Sequence, residues 1–367
     1  MRRIILLTSL FTVTLLLAGC ASRPRVTAPA AAQAVAPASA DAVVAEAWVS
    51  APHPEEEVDS IAVWPTEDGG SWLIVTAKQT EQLVVFDAQS GRRLRTVGSS
   101  GSALGQFKRP NGIAVFGDLV FVAERDNHRV QVLQLPDFTP LAAIGERELK
   151  VPYGLWLHEV APDELELLVT DSFMADFRTR ALPPMAELDQ RVKRYRVAQK
   201  PDGSVSARYL GAFGDTSEAG ALRMVESIAG DPANDRLLIA DEDVRVGSTL
   251  RDYTLGGRYR GRSLPRFQAD AEGVSLWACD TDQAGYWIAS DQLTPTLFRV
   301  YDRVSLAPVG TFSGKSVGDT DGQALYATPS ARFPAGALYV QSRNESVAAF
   351  DLRDIAAALK LAPACVE

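Results

Sequence analysis

Short apolar runs, broken by polar or glycine-containing segments, recur along this chain at lengths that suit strands rather than helices. The clearest stretch is 111–135. There the apolar runs 113–116, 119–123 and 130–135 are split first by Gly117-Asp118 and then by the polar segment 124–129. Runs this short, rich in β-branched residues and bounded by turn formers, predict strands, and three in succession predict an antiparallel meander.

The same unit recurs from about residue 55. Its first strand reads Asp59-Ser60-Ile61-Ala62-Val63-Trp64, then Asn111-Gly112-Ile113-Ala114-Val115-Phe116, then Tyr153-Gly154-Leu155-Trp156-Leu157. Glu226-Ser227-Ile228-Ala229-Gly230, Glu272-Gly273-Val274-Ser275-Leu276-Trp277 and Asp321-Gly322-Gln323-Ala324-Leu325-Tyr326 complete the set. Each copy opens on a polar or aromatic residue, continues with glycine or serine, and runs into apolar positions. Second strands are expected at 72–77, 119–123, 166–170, 236–240, 285–289 and 337–341, and third strands begin near Leu83, Val130, Val192, Leu250, Leu297 and Val347. Most copies lead into a fourth run closing in glycine, as at 94–98, 141–145, 209–214 and 308–314.

A lone four-stranded blade cannot bury both of its faces, so six copies in series predict an all-β fold, a six-bladed β-propeller with four-stranded antiparallel blades. A sandwich or open barrel is the competing architecture, and the matched strand order of the six copies argues against it. The longest interval holds an insertion, 173–190, and one helix-period stretch longer than two turns falls at 354–361. The expected organisation is a targeting segment at 1–20, an Ala/Pro-rich tether at 21–50, and the propeller at 51–367.

The first segment joins a basic start, Arg2-Arg3, to an apolar run at 4–17 that is short for a membrane span. Leu17-Ala18-Gly19-Cys20 resembles the lipobox of bacterial lipoproteins. The resemblance implies lipidation of Cys20, and with Ala21 following it implies anchoring to the outer membrane, facing the periplasm or exterior. The net charge of −9 argues against nucleic-acid binding, and a monomer is expected. Cys279 and Cys365 either pair in an oxidising compartment or remain separate buried thiols. The three histidines, His53, His128 and His158, have no metal-ligand spacing.

In a propeller the first strand of each blade lines the central channel. The residues opening those strands therefore form one ring at its mouth: Asp59, Asn111, Tyr153, Glu226, Glu272 and Asp321. The ends of the second strands add Lys78, Glu124, Arg125, Asp171, Asp241, Glu242, Asp243, Asp291 and Arg343, while Asp270 and Asp319 each lie two residues before a ring acid. Carboxylates crowded together raise one another's pKa, a hard cation relieves that repulsion, and an oxygen-only donor set suits Ca²⁺. Lys78, Arg125 and Arg343 add positive charge suited to an anion beside the metal. Together they suggest a phosphorylated ligand and hydrolysis by metal-activated water.

These residues also carry a family resemblance. Val225-Glu226 followed by Asp231, with Leu238-Ile239-Ala240-Asp241-Glu242-Asp243, is similar to a run of the β-propeller phytases, as are Asp270-Ala271-Glu272-Gly273 and Asp319-Thr320-Asp321-Gly322. Tyr301-Asp302-Arg303 and Phe333-Pro334 extend the likeness, which spans about 55–361. The resemblance implies Ca²⁺-dependent release of phosphate from inositol hexakisphosphate. It implies metal ligation by Asp59, Glu226, Glu242, Asp270, Glu272, Asp319 and Asp321, with Glu226, Glu242 and Asp321 at the catalytic centre. Lys78 and Arg125 would contact phosphate. The chain departs from the family pattern at Ser60, where an acid is expected, and at Glu124, where an asparagine is expected. The second repeat, with Arg109-Pro110-Asn111-Gly112-Ile113-Ala114-Val115 and Asp126-Asn127-His128-Arg129-Val130, also resembles an NHL repeat. That resemblance implies a non-catalytic propeller binding a protein or glycan on its face.

Overall fold

The computed structural model describes residues 39–279 and 283–366. They form six antiparallel blades, each ordered from the channel outwards. Blade 1 comprises Val58–Pro65, Ser71–Ala77, Gln82–Asp87 and Arg93–Val97, and blade 2 comprises Pro110–Phe116, Leu119–Glu124, Arg129–Gln134 and Thr139–Ile144. Blade 3 uses Pro152–Ala161, Glu164–Asp171, Val192–Gln199 and Val205–Phe213, and blade 4 uses Val225–Asp231, Arg236–Asp241, Thr249–Tyr253 and Tyr259–Ser263. Blade 5 uses Ala271–Ala278, Gly285–Asp291, Leu297–Asp302 and Pro308–Ser313, and blade 6 uses Gln323–Tyr326, Ala337–Ser342 and Ser346–Asp351. The predicted fold and strand sets are thus found, with most boundaries shifted by a residue or two; in blade 3 the first strand runs four residues further, to Ala161, and the fourth starts four residues earlier, at Val205.

Burial explains the pattern of each repeat. Second strands are covered on both faces by neighbouring blades and read as continuous apolar runs, as in Leu119–Glu124, whereas outermost strands such as Tyr259–Ser263 stay largely exposed. The core lies between blades: Ile74, Leu83 and Val85 of blade 1 meet Ile113, Val120 and Val122 of blade 2.

The ring closes through the N-terminal segment. Trp48–Val49 pairs antiparallel with Ser346–Asp351, Trp48 opposite Ala349, and supplies the outermost strand that blade 6 otherwise lacks. Ala42–Val43 adds a fifth, parallel strand to blade 5 against Pro308–Ser313. The Glu46 carboxylate between them accepts the backbone N–H groups of Ser316 and Val317. The tether expected over 21–50 therefore gives way to propeller structure by Ala42. Composition concealed this because two-residue strands carry no readable periodicity. Cys20 and the rest of the targeting segment lie outside the described residues.

The C-terminal segment is tied down by two devices. The helix Leu352–Leu359 starts two residues earlier than expected because the Asp351 carboxylate caps it, accepting from Arg353 N at 2.9 Å. A disulfide then joins Cys279, just beyond the first strand of blade 5, to Cys365. No helix among the described residues is long and apolar enough to cross a membrane.

The second position of each repeat is small because the innermost strands converge there. A Cβ on Gly112 would lie 2.3 Å from the Tyr153 carbonyl oxygen, one on Gly154 2.5 Å from that of Glu226, and one on Gly322 2.4 Å from that of Asp59. Each glycine thus sits against the first ring residue of the next blade. Gly154→Ala is expected to cost about 1–3 kcal/mol in chemical denaturation. Gly256→Ala, which meets nothing closer than 3.6 Å, is expected to be near neutral. Equal stabilities of the two variants would contradict the throat contact.

Candidate metal centre

The throat geometry delivers six ring side chains to one place. Asp59, Asn111, Tyr153, Glu226, Glu272 and Asp321 line a recess of about 20 Å³ at the channel mouth, and the glycine and serine positions line a wider throat of about 80 Å³ beneath it. Second-strand hydroxyls hold the ring in place. Thr76 Oγ1 donates to the Asn111 carbonyl and Thr170 Oγ1 to that of Glu226, both at 2.7 Å, so the backbone bearing these two ring residues is fixed by the blade before it.

A second repeating device separates structural acids from mouth-facing groups. The last residue of the second strand in blades 2 to 5 is Glu124, Asp171, Asp241 or Asp291. Each accepts backbone N–H groups from the segment that opens its own blade, as Asp241 does from Arg223 and Met224 at 3.0 Å. Glu124, Asp241 and Asp291 are also ion-paired with third-strand arginines, namely Arg129 at 2.7 Å, Arg251 at 2.8 Å and Arg299 at 2.6 Å. Burial raises the pKa of Asp171, against its backbone hydrogen bonds and the nearby Lys193 and Arg191. These four acids hold loops, and Glu124 is committed to blade 2. Asp243 is likewise paired, with Arg245 at 2.6 Å. The residue following the strand end belongs to the mouth: Lys78 in blade 1, Arg125 in blade 2, Glu242 in blade 4 and Gln292 in blade 5.

The mouth has two unlike halves. In the first, Glu226, Glu242 and Glu272 are brought together so that one carboxylate oxygen from each lies within 4.8 Å of the others. Burial, followed by charge repulsion from the neighbouring acids, raises all three pKa values; Glu226 is pushed up to about 8. Glu242 is crowded by Glu226 and Glu272, whose charges add to the rise, and its Oε1 is buried with no hydrogen-bond partner. Asp270 stands behind this group, its pKa also raised by burial, and Arg180 of the 173–190 insertion lies close enough to oppose that rise. The Arg180 carbonyl in turn accepts from Arg245 Nη1 at 3.1 Å, so the insertion reaches the loops of blade 4.

In the second half, Lys78 Nζ lies 3.2 Å from Asp59 and 3.6 Å from both Asp321 and Glu57. Burial disfavours charge on Lys78, but Asp59, Asp321 and Glu57 more than offset it and hold its pKa above the ordinary value. Asp321 is pushed up to about 7 by burial and by Asp59, and Gln292 Nε2 donates to it. Glu57 is gripped by Arg109 through two bonds of 2.7 and 3.1 Å. Neither Glu57 nor Gln292 was singled out from the sequence. Gln292 could have been found by aligning the residues that follow each second strand, but Glu57 precedes the repeat and carries no signal.

The remaining candidates lie at the rim. Arg125 makes a paired contact with Asp126 at 2.7 and 3.1 Å, and Asp126 and the nearby Tyr153 raise its pKa against burial. Arg343 is exposed, with its backbone N–H on the Gly318 carbonyl at 2.8 Å. The Asp319 carboxylate accepts from Thr294 Oγ1 at 2.5 Å and makes no hydrogen bond with the ring acids among the described residues.

The donor set fits a hard divalent cation: oxygen ligands alone, an excess of buried negative charge, and an orphaned oxygen on Glu242. The Asn111 side-chain oxygen, also buried and unpartnered, faces the same recess.

An NHL repeat model matches residues 107–133, in and just before blade 2. No curated protein matches the chain. Solved structures similar to it include hydrazine synthase of Kuenenia stuttgartiensis, at 12% identity and TM-score 0.45, covering 86% of this chain and 81% of that one. A nidogen/laminin complex matches at 14% identity and TM-score 0.45, covering 71% and 81%. The calcium-binding protein regucalcin of Agrobacterium tumefaciens matches at 11% identity and TM-score 0.48, covering 84% and 96%.

The raised carboxyl groups make the metal-free fold pH-sensitive. Glu226 and Asp321 keep protons in the folded state over a range in which the unfolded chain has lost them. The stability they contribute is therefore complete below the ordinary carboxylate pKa and declines as pH rises towards about 8. Denaturation in chelator should show stability falling over that interval, with a shallower fall in Glu242→Gln. Stability that is flat or rising there would contradict the buried, crowded state of these acids.

Proposed function

We propose that the protein binds Ca²⁺ in the glutamate half of the mouth and uses it to act on a phosphorylated small molecule, hydrolysing a phosphomonoester of the inositol hexakisphosphate type. Glu242 carries the reading. It is buried between Glu226 and Glu272, with one carboxylate oxygen left without a partner where three acids converge. Glu226, Glu242 and Glu272 would hold the ion, with Asp270 adding charge behind them. A bound calcium would supply Lewis-acid polarisation of a phosphoryl oxygen and activation of a water. Arg125, held in place by Asp126, and the exposed Arg343 bring positive charge to the rim, where a phosphate group would be oriented and its developing charge stabilised. Lipid attachment at Cys20 would hold a monomeric propeller at the outer membrane.

A second reading keeps the cation site but not the hydrolysis: an NHL-like binding platform for a protein or glycan. It is favoured by the ion pairs that already occupy Arg125 and Lys78, since a cation neutralised by a neighbouring carboxylate holds an anion less strongly. The test is to incubate the purified protein with inositol hexakisphosphate in Ca²⁺ and in chelator, with thermal stability measured in parallel. Calcium-dependent phosphate release, abolished together with calcium stabilisation in Glu242→Gln, is the expected result. Calcium stabilisation without release supports the platform, and neither effect would overturn the cation site.

A further inference from the structure

Charge is unevenly compensated around the mouth. Among the described residues no ion pair involves Glu226, Glu242 or Glu272, whereas Asp59, Asp321 and Glu57 converge on Lys78. Lys78 is not a rim residue reaching over a solvated face: its side chain is only 14% exposed, and its ammonium lies beside three carboxylates from two separate places in the chain, Glu57 and Asp59 before blade 1 and in its first strand, and Asp321 before blade 6. An ammonium at 3.2 to 3.6 Å from three convergent carboxylates stands where a metal ion would stand. Calcium–oxygen distances are about 2.3–2.6 Å, so the same carboxylates would need to close by roughly an ångström to hold an ion instead. The cradle has other donors ready. The orphaned oxygen of Asn111, a residue that is 3% exposed, lines the same recess as Asp59 and Asp321.

We infer that Lys78 is a built-in cation filling the second of two carboxylate cradles, so that the wild-type protein takes one divalent ion, in the glutamate half, and a neutral side chain at position 78 opens a second divalent-cation site between Asp59, Asp321 and Glu57. This rests on the cation reading above and assigns Lys78 to the occupancy of the mouth rather than to a phosphate. Charge balance supports it. With Lys78 and Arg109 present, three carboxylates on that side face two cations. Removing Lys78 leaves the Asp59 and Asp321 carboxyl groups without a cation, while Arg109 stays on Glu57.

The stoichiometry of Ca²⁺ binding, measured by calorimetry on the full chain and by metal analysis after gel filtration in calcium, reads this directly. One ion is expected for the wild type, two for Lys78→Met, one for Lys78→Arg, and one for the double variant Lys78→Met/Glu242→Gln. Should Lys78→Met not fold without an ion, purification in calcium and a second neutral variant, Lys78→Gln, carry the test. One ion in both the wild type and the neutral variants would overturn the inference and leave the glutamate site standing, and two in the wild type would also overturn it. None in the wild type but one in Lys78→Met would support the occupied cradle and sink the glutamate site. None in any protein would overturn both.

Discussion

The close approach of six innermost strands at the channel throat is the constraint on which the rest of this structure depends. In blades 2, 3, 5 and 6 the second residue of this strand is a glycine lying against the carbonyl of the next blade's first residue, as Gly154 does against Glu226, with no room for a Cβ, and in blades 1 and 4 it is a serine. Two consequences follow from this one packing fact. The second position must be small, which produces the glycine and serine column of the repeats. The first position must project into the mouth, so whatever side chains stand there share one small recess however far apart they lie in sequence. Threonines of the second strands, with carbonyl contacts at 2.7 Å, hold that arrangement in register.

Within the recess, four of the six first positions are acids, and the fold sets their charge against burial. The two halves of the mouth answer this differently. Around Asp59 and Asp321 a lysine supplies the compensating charge internally. Around Glu226, Glu242 and Glu272 protons must supply it unless a cation does, because buried ionised carboxyl groups at this separation cannot all be tolerated. A site that must either keep protons or take up a metal is suited to binding a hard cation, and the strength of that binding depends on how well the surrounding loops hold the three glutamates. Asp241 helps to do so by accepting backbone N–H groups at the start of blade 4 while Arg251 neutralises it.

The architecture and the ring were legible in the sequence because both follow from periodicity. The copies could be aligned by eye, and alignment alone placed Asp59, Asn111, Tyr153, Glu226, Glu272 and Asp321 together. The division of labour at the second-strand ends was not legible. Asp241, Glu242 and Asp243 are chemically alike in sequence, and only the pairing of the first and third with arginines singles out Glu242 for the mouth. The same holds for Glu124, whose apparent intrusion beside Arg125 disappears once it is seen to hold Arg129 and the N–H of Lys108. The closure of blade 6 by Trp48–Val49 was hidden for another reason. It depends on pairing across 301 residues, Trp48 opposite Ala349, and so has no local signature.

Diffraction from crystals grown in calcium, with the ion located by its anomalous scattering, would show which half of the mouth takes the cation. A single ion is expected among the carboxylates of Glu226, Glu242 and Glu272, with Lys78 still seated between Asp59 and Asp321. An ion displacing Lys78 from Asp59 and Asp321, or no ion among the three glutamates, would contradict that expectation.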